Sequence, residues 1–94
     1  MKTEAHLQGY AKRQCELHDV LWRKIAYPYR RGAPDTFMAK NGRIVFVELK
    51  TPAGTGKLSA LQRREHGHLR LAGMDMRVID NKEDIDIVID YLNG

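Results

Sequence analysis

One cysteine, Cys15, is all the thiol chemistry available to this chain of 94 residues. A single thiol excludes an intrachain disulfide and makes a reducing cytoplasm the expected setting. No apolar run approaches the roughly 18 residues that a membrane span needs. The opening Met1-Lys2-Thr3-Glu4-Ala5-His6 lacks the apolar stretch of a secretory leader. His66 and His68 have no cysteine pair to complete a zinc site, and i, i+2 positions on a helix point apart. Both therefore read as surface or half-buried histidines. The Gly54/Gly56 loop lacks the lysine spacing of a phosphate-cradling nucleotide loop, which excludes ATP binding. There is no internal repeat, no low-complexity tract and no length for a second core, so residues 1–94 read as one domain. A chain this short buries only a modest share of its surface, and a partner subunit would help it.

Charge is present in excess of one sign and unevenly placed. The formal net charge is +4 with a pI near 9.4. Through Arg70 the chain carries 14 Lys/Arg against 6 Asp/Glu; the remaining 24 residues carry 2 against 6. A basic body with an acidic end suggests one face built for a polyanion. Solvated charge kept for solubility accounts for +4 equally well.

The most informative local signal is Asn41-Gly42 between two apolar, β-rich runs, which predicts a hairpin with a two-residue type I′ loop. That loop pairs Lys40 with Arg43, Ala39 with Ile44, Phe37 with Phe46, and Asp35 with Glu48. Side chains directly opposite on one face have Cβ atoms roughly 4.5–5.5 Å apart. Two carboxylates so placed repel and weaken a hairpin unless a divalent cation sits between them. Lys50, two residues beyond Glu48, projects from the same face. Register alone thus predicts a metal-and-lysine cluster.

Along the rest of the chain, residues 3–18 read as a helix, with Leu7, Tyr10, Ala11, Gln14 and Cys15 on one stripe and Thr3 as N-cap. Glu4 falls on the inward edge of that stripe. Val20–Tyr27 reads as a strand ended by Pro28, and Asp35–Ala39 and Arg43–Lys50 as the hairpin. Residues 51–56 read as a breaker-rich loop. Ser59–Leu71 reads as a helix with Leu61, Glu65, His68, Leu69 and Ala72 on one side and Gly73 at its C-terminal end. Met76–Asp80 reads as a fourth strand. Asn81 then caps a last helix striped by Ile85, Val88, Ile89 and Leu92. Strands one to three suit an antiparallel meander, and the third strand, its crossover helix and the fourth strand suit a right-handed βαβ unit. The expected fold is α/β: a small mixed four-stranded sheet flanked by helices, in the order αβββαβ with an extra C-terminal helix.

Gly32-Ala33-Pro34-Asp35, Glu48-Leu49-Lys50 and Gln62 in the following helix resemble the PD-(D/E)XK nuclease superfamily, and more narrowly its VRR-NUC branch. That branch has a G-x-P-D turn, a strand ending in E-x-K, a helix carrying glutamine, and a glutamate in the first helix that Glu4 matches by position. The resemblance spans about residues 4–80 and includes the element order, a restriction-endonuclease-like core. It implies a Mg²⁺- or Mn²⁺-dependent endonuclease acting on DNA. Mg²⁺ prefers octahedral oxygen ligation with few carboxylates and several waters. Asp35 and Glu48 are the expected ligands. The resemblance adds the backbone carbonyl of Leu49 as a third, and Glu4 as a ligand or outer acid. Lys50 would orient or deprotonate the attacking water, or stabilise charge on the phosphoryl group. Stand-alone members of the branch resemble Holliday junction resolvases, which implies branched DNA as substrate, read by shape, and a two-fold homodimer cutting in pairs. The small lone domain is similar to phage-encoded proteins, which would place it in a host cytoplasm.

Several residues carry a second reading. Ser59-Ala60-Leu61-Gln62 satisfies the S-x-x-Q capping box, so Gln62 has both a capping role and a site role open to it. Glu4 could serve the helix dipole. Arg30, Arg31, Lys57, Arg63 and Arg64 are candidate phosphate contacts, or scattered surface charge. Lys24 has no fixed parity until its strand's register is known. Cys15 belongs to the core, and Trp22 and Tyr27 to core or interface. Alternatives to the resolvase are a monomeric nickase or flap-type nuclease, and a DNA-binding module without activity.

Overall fold

Thr3 opens the first helix in the computed structural model, which describes residues 3–51 and 57–94. Its side chain accepts a hydrogen bond from the backbone N–H of His6, satisfying one of the helix's unpaired donors. Helix α1 then runs Glu4–Leu17, followed by β1 (Leu21–Lys24), β2 (Thr36–Lys40), β3 (Arg43–Leu49), α2 (Ala60–Leu71), β4 (Asp75–Ile79) and α3 (Lys82–Asn93). The expected element order holds throughout. Met1, Lys2 and the stretch Pro52–Gly56 of the breaker-rich loop lie outside the described residues.

The sheet is ordered β1-β2-β3-β4, with β1, β2 and β3 antiparallel and β4 parallel to β3. This is the meander plus crossover that the sequence predicts. On one face, Met38, Val45, Val47, Leu49 and Ile79 join a single core cluster with Leu7, Ala11 and Cys15 of α1 and Ile85, Val88, Ile89 and Leu92 of α3. Each such fully buried aliphatic side chain contributes about 1.5–3 kcal/mol. Period-two alternation sends Phe37, Phe46 and Glu48 to the opposite face, where α2 lies.

Strand β1 is shorter than Val20–Tyr27. At its start, the Val20 N–H is taken by the Cys15 carbonyl in the turn that ends α1, with Asp19 at φ 56°. At its other end, Ile25 N–H still donates to the Asp35 carbonyl, but next along the partner strand stands Pro34, which has no N–H to give. Tyr27 is therefore not in the sheet. Trp22 packs at the edge of the core and Cys15 is fully buried, as expected.

Helix α2 departs further from expectation. Its buried residues are Glu65 and His66, while Leu61, His68 and Ala72 are exposed. Of the expected stripe of Leu61, Glu65, His68, Leu69 and Ala72, Glu65 is buried and Leu69 half-buried, while the other three are exposed. The helix covers a polar part of the sheet, so hydrophobic spacing is no guide to which of its sides is inward. Gly73, at φ 87°, follows the C-cap residue Ala72 and takes the left-handed position that commonly ends a helix.

Candidate active site

Asn41 and Gly42 sit at φ 56° and 78°, both left-handed as a type I′ turn requires. The register runs from Lys40↔Arg43 to Thr36↔Val47 without a slip. One more step brings Asp35, at the mouth of β2, opposite Glu48. Asp35 is anchored there by accepting the Leu49 N–H through Oδ2 at 2.8 Å.

Glu48 is 2% exposed, an uncommon place for a carboxylate. Burial first, then the charge of Asp35 and a hydrogen bond with it, push the Glu48 carboxyl up to about 8. Lys50 pulls the other way and Glu4 adds an upward push. Near neutral pH, Glu48 thus holds a proton when no cation is beside it. Its Oε2 accepts from Gln62 Nε2 at 3.2 Å and lies 3.9 Å from Lys50 Nζ. Its Oε1 is buried without a hydrogen-bond partner.

Gln62 closes the cap and also reaches the candidate site. Its Oε1 accepts from Ser59 N at 2.9 Å, completing the capping box, and from Lys50 Nζ at 3.3 Å. One amide therefore ties the start of α2 to the lysine and to the buried carboxylate.

Gly32 explains the first letter of the G-x-P-D turn. At φ 91°, a Cβ built on it would stand 2.3 Å from the Leu61 carbonyl oxygen, which real side chains do not tolerate. Glycine lets the loop before β2 lie directly on the backbone of α2. The acids on the hairpin and the residues of α2 are held together by that approach.

His66 is the residue the sequence reading missed. Expected at the surface or half-buried, it is 0% exposed, with Nε2 3.4 Å from Glu48 Oε1. Neither ring nitrogen has an aligned hydrogen bond. Burial, then the charges of Arg70 and Lys50, hold the ring below its usual pKa range. A signal existed: His66 is four residues after Gln62, so both project from one side of α2. His68 is exposed.

The remaining candidates scatter. Glu4 is exposed rather than inward, because burial on α1 begins only at Leu7, yet its charge is felt at Glu48. Arg30 pairs with Glu65 at 3.7 Å, and with Arg31 and Arg64 it lines a cleft beside α2. Lys57 and Arg63 are exposed around the start of α2. Lys24 pairs with Thr36 and donates to Gln8 of α1, which places it on the sheet face opposite Glu48.

The donor set fits a hard divalent cation. Two adjacent carboxylates include one buried oxygen with no hydrogen bond, and a cation there would replace the proton on Glu48. Among the described residues, no three His, Cys, Asp or Glu side chains converge as a cage. Mg²⁺ keeps several of its waters and takes one or two carboxylates.

An αβββαβ core that sets two carboxylates and a lysine at the open end of a hairpin defines the PD-(D/E)XK class. Comparison with known proteins narrows this. No protein-family model matches the chain. A solved structure described as "VRR_NUC domain" superposes with a TM-score of 0.83 at 34% identity, over 97% of this chain and 98% of that one. "Putative nuclease p44" of Acyrthosiphon pisum secondary endosymbiont phage 1 is 38% identical over 71 residues, 74% of this chain and 73% of the phage protein. The chain belongs to the VRR-NUC family.

Proposed function

We propose that this chain is a Mg²⁺- or Mn²⁺-dependent DNA endonuclease selective for branched substrates such as Holliday junctions. The observation that carries the reading is the pairing of Asp35 with a buried, unsatisfied Glu48 beside Lys50. Asp35 and Glu48, with the Leu49 carbonyl, would hold the cation, and Glu4 would lend charge from the outer edge. A bound cation would supply Lewis acidity, an activated water and a template for in-line attack. Lys50 would hold the attacking water or offset charge growing on the phosphoryl oxygens. Gln62 keeps that lysine and Glu48 in fixed relation. Arg30, Arg31, Lys57, Arg63 and Arg64 would contact phosphates, positioning DNA without reading its sequence. The phage protein named as a nuclease supports the reaction class.

Recognition of shape is supported by the packing of α1 and α3 into the core and of α2 against Glu48, which leaves no helix among the described residues projecting as a separate base reader. A two-fold homodimer would place two sites for paired cuts. The test is cleavage of a panel of junction, flap, nicked and continuous duplex DNA in Mg²⁺, Mn²⁺ and chelator, with Asp35→Ala and Lys50→Ala controls. Symmetric paired incisions in the junction are expected. Tight binding with no cleavage in either metal would sink the nuclease reading. Single nicks near a flap would replace the resolvase with a monomeric nickase. Sedimentation at the assay concentration reads the dimer directly.

A further inference from the structure

Tyr29, Arg30, Arg31, Leu61, Arg64 and Glu65 line a cleft of about 300 Å³ between the loop preceding β2 and one side of α2. The adjacent side of the same helix carries Gln62 and His66 to Glu48. Gly32, pressed on the Leu61 carbonyl, closes the loop onto the helix between cleft and site. Whatever occupies the cleft therefore lies one helix face from the candidate metal ligands.

The cleft is positive. Its one carboxylate, Glu65, is already engaged, accepting from the Tyr27 hydroxyl and pairing with Arg30. Among the described residues, Arg31 and Arg64 have no carboxylate within 4 Å. Two free guanidiniums on one cleft suit a phosphate, whose oxygens match their planar fork.

Tyr29 supplies the second half of the ligand. Its side chain is fully exposed, so it contributes nothing to the core. Its backbone sits at φ 65° immediately after Pro28, the turn position that ordinarily takes glycine. A bulky residue with positive φ is an outlier whose strain a glycine would remove. The chain thus keeps an aromatic ring in water, at a strained position, on the rim of an arginine-lined cleft. A ring there gains stability only when something flat covers it.

We propose that this cleft binds a single unpaired nucleotide of the DNA substrate, its phosphate on Arg31 and Arg64 and its base stacked on Tyr29. The proposal rests on the nuclease reading and deepens it. Bases inside a continuous duplex are already stacked on their neighbours and offer no face to a protein ring. Unpaired bases do, and stacking accepts any base because each has a π-face. Branch points, gaps and frayed ends expose such nucleotides, so the cleft would select structure without selecting sequence.

The test compares two DNAs, a duplex with one unpaired 2-aminopurine at a gap and the same duplex made continuous. Binding is read by anisotropy in chelator, where no metal-dependent cut occurs. The gapped DNA is expected to bind roughly 5- to 150-fold more tightly, the range that loss of one base–aromatic stack corresponds to. Its 2-aminopurine emission should quench on binding. Tyr29→Gly should abolish both effects while the protein melts at the same or a higher temperature, and Tyr29→Phe should keep both. Arg64→Ala should weaken binding of the gapped DNA more than of the continuous one. Equal affinity for the two DNAs overturns the proposal, as does a Tyr29→Gly protein that retains the preference. A Tyr29→Gly protein that loses it only by melting well below the parent overturns it too, since the ring would then be structural. If junction cleavage persists without the preference, the cleft fails and the nuclease reading stands. If the preference persists without cleavage in either metal, the reverse holds.

Discussion

The imidazole Nε2 of His66 lies 3.4 Å from Oε1 of Glu48, and no other described group hydrogen-bonds either atom. Two buried, unsatisfied polar groups facing each other stabilise a fold poorly. They make sense together if a cation on Glu48 turns its second oxygen towards the ring.

His66→Leu should therefore leave stability equal or higher, because it removes two unpartnered nitrogens from the interior. The same change should weaken Mn²⁺ binding by roughly 10- to 100-fold, the usual effect of losing a group that supports a metal ligand. His66→Gln keeps a donor and should recover much of the affinity. Calorimetric titration with Mn²⁺ decides, and unchanged affinity in His66→Leu would remove the histidine from the site.

Glu48 sets a pH dependence with a definite sign. Its carboxyl is raised to about 8, so its contribution to folding is full below the ordinary carboxylate range and is lost as pH climbs through about 8. In metal-free protein, Glu48→Gln should match the wild type at pH 5 and melt higher at pH 9. The gap should be several degrees, ~1 kcal/mol being worth roughly 4–8 °C in a domain of this size. Mg²⁺ should raise the wild-type melting temperature more at pH 9 than at pH 6, since cation and proton compete for one oxygen. A difference between the two proteins that grows towards acid pH would reverse the assignment.

Two glycines with similar φ should respond differently to alanine. At Gly42 nothing lies within 4 Å of the added methyl, so only the left-handed backbone is penalised, at about 1 kcal/mol. At Gly32 the methyl meets the Leu61 carbonyl at 2.3 Å, and backbone cannot step aside cheaply. Gly32→Ala should cost at least roughly 2–3 kcal/mol and reduce cleavage sharply. Denaturant melts and a cleavage assay on both variants check this, and equal losses would mean the close approach is unimportant.

Ser59 and Gln62 share a capping box, but only Gln62 reaches Glu48 and Lys50. Ser59→Ala should lower stability by about 1 kcal/mol with the cleavage rate unchanged. Gln62→Ala should lower stability by a similar amount and cleavage by at least roughly 10-fold. Parallel effects of the two substitutions on cleavage would reduce Gln62 to a cap.

The part of this molecule governed by local backbone geometry was readable from its residues. Asn41-Gly42 leaves one favourable turn, the turn leaves one register, and the register brings Asp35 to Glu48. Caps at Thr3, Ser59 and Asn81 were legible for the same reason. What depends on long-range packing was not. Periodicity placed Glu65 on the inner side of α2, where it is buried, but it counts apolar residues and so left His66 out. Strand β1 was read too long because Val20 is claimed by the end of α1 and Pro34 stops the partner strand. Glu4 shares the spacing of Leu7 and Ala11 but lies beyond the covered part of the sheet. Tyr29 drew no notice because φ cannot be read from a tyrosine.

The hairpin brings the two acids together within a span of chain that closes on the microsecond scale, whereas α2 arrives by a crossover linking parallel strands, a slower event. In the folded chain, Gln62 and His66 of α2 lie against Glu48 and add to the burial that makes it hold a proton. Burial of Glu48 under that helix and neutralisation of its charge are therefore linked. Chain refolded in chelator near neutral pH is thus expected to take up a proton from solvent at Glu48.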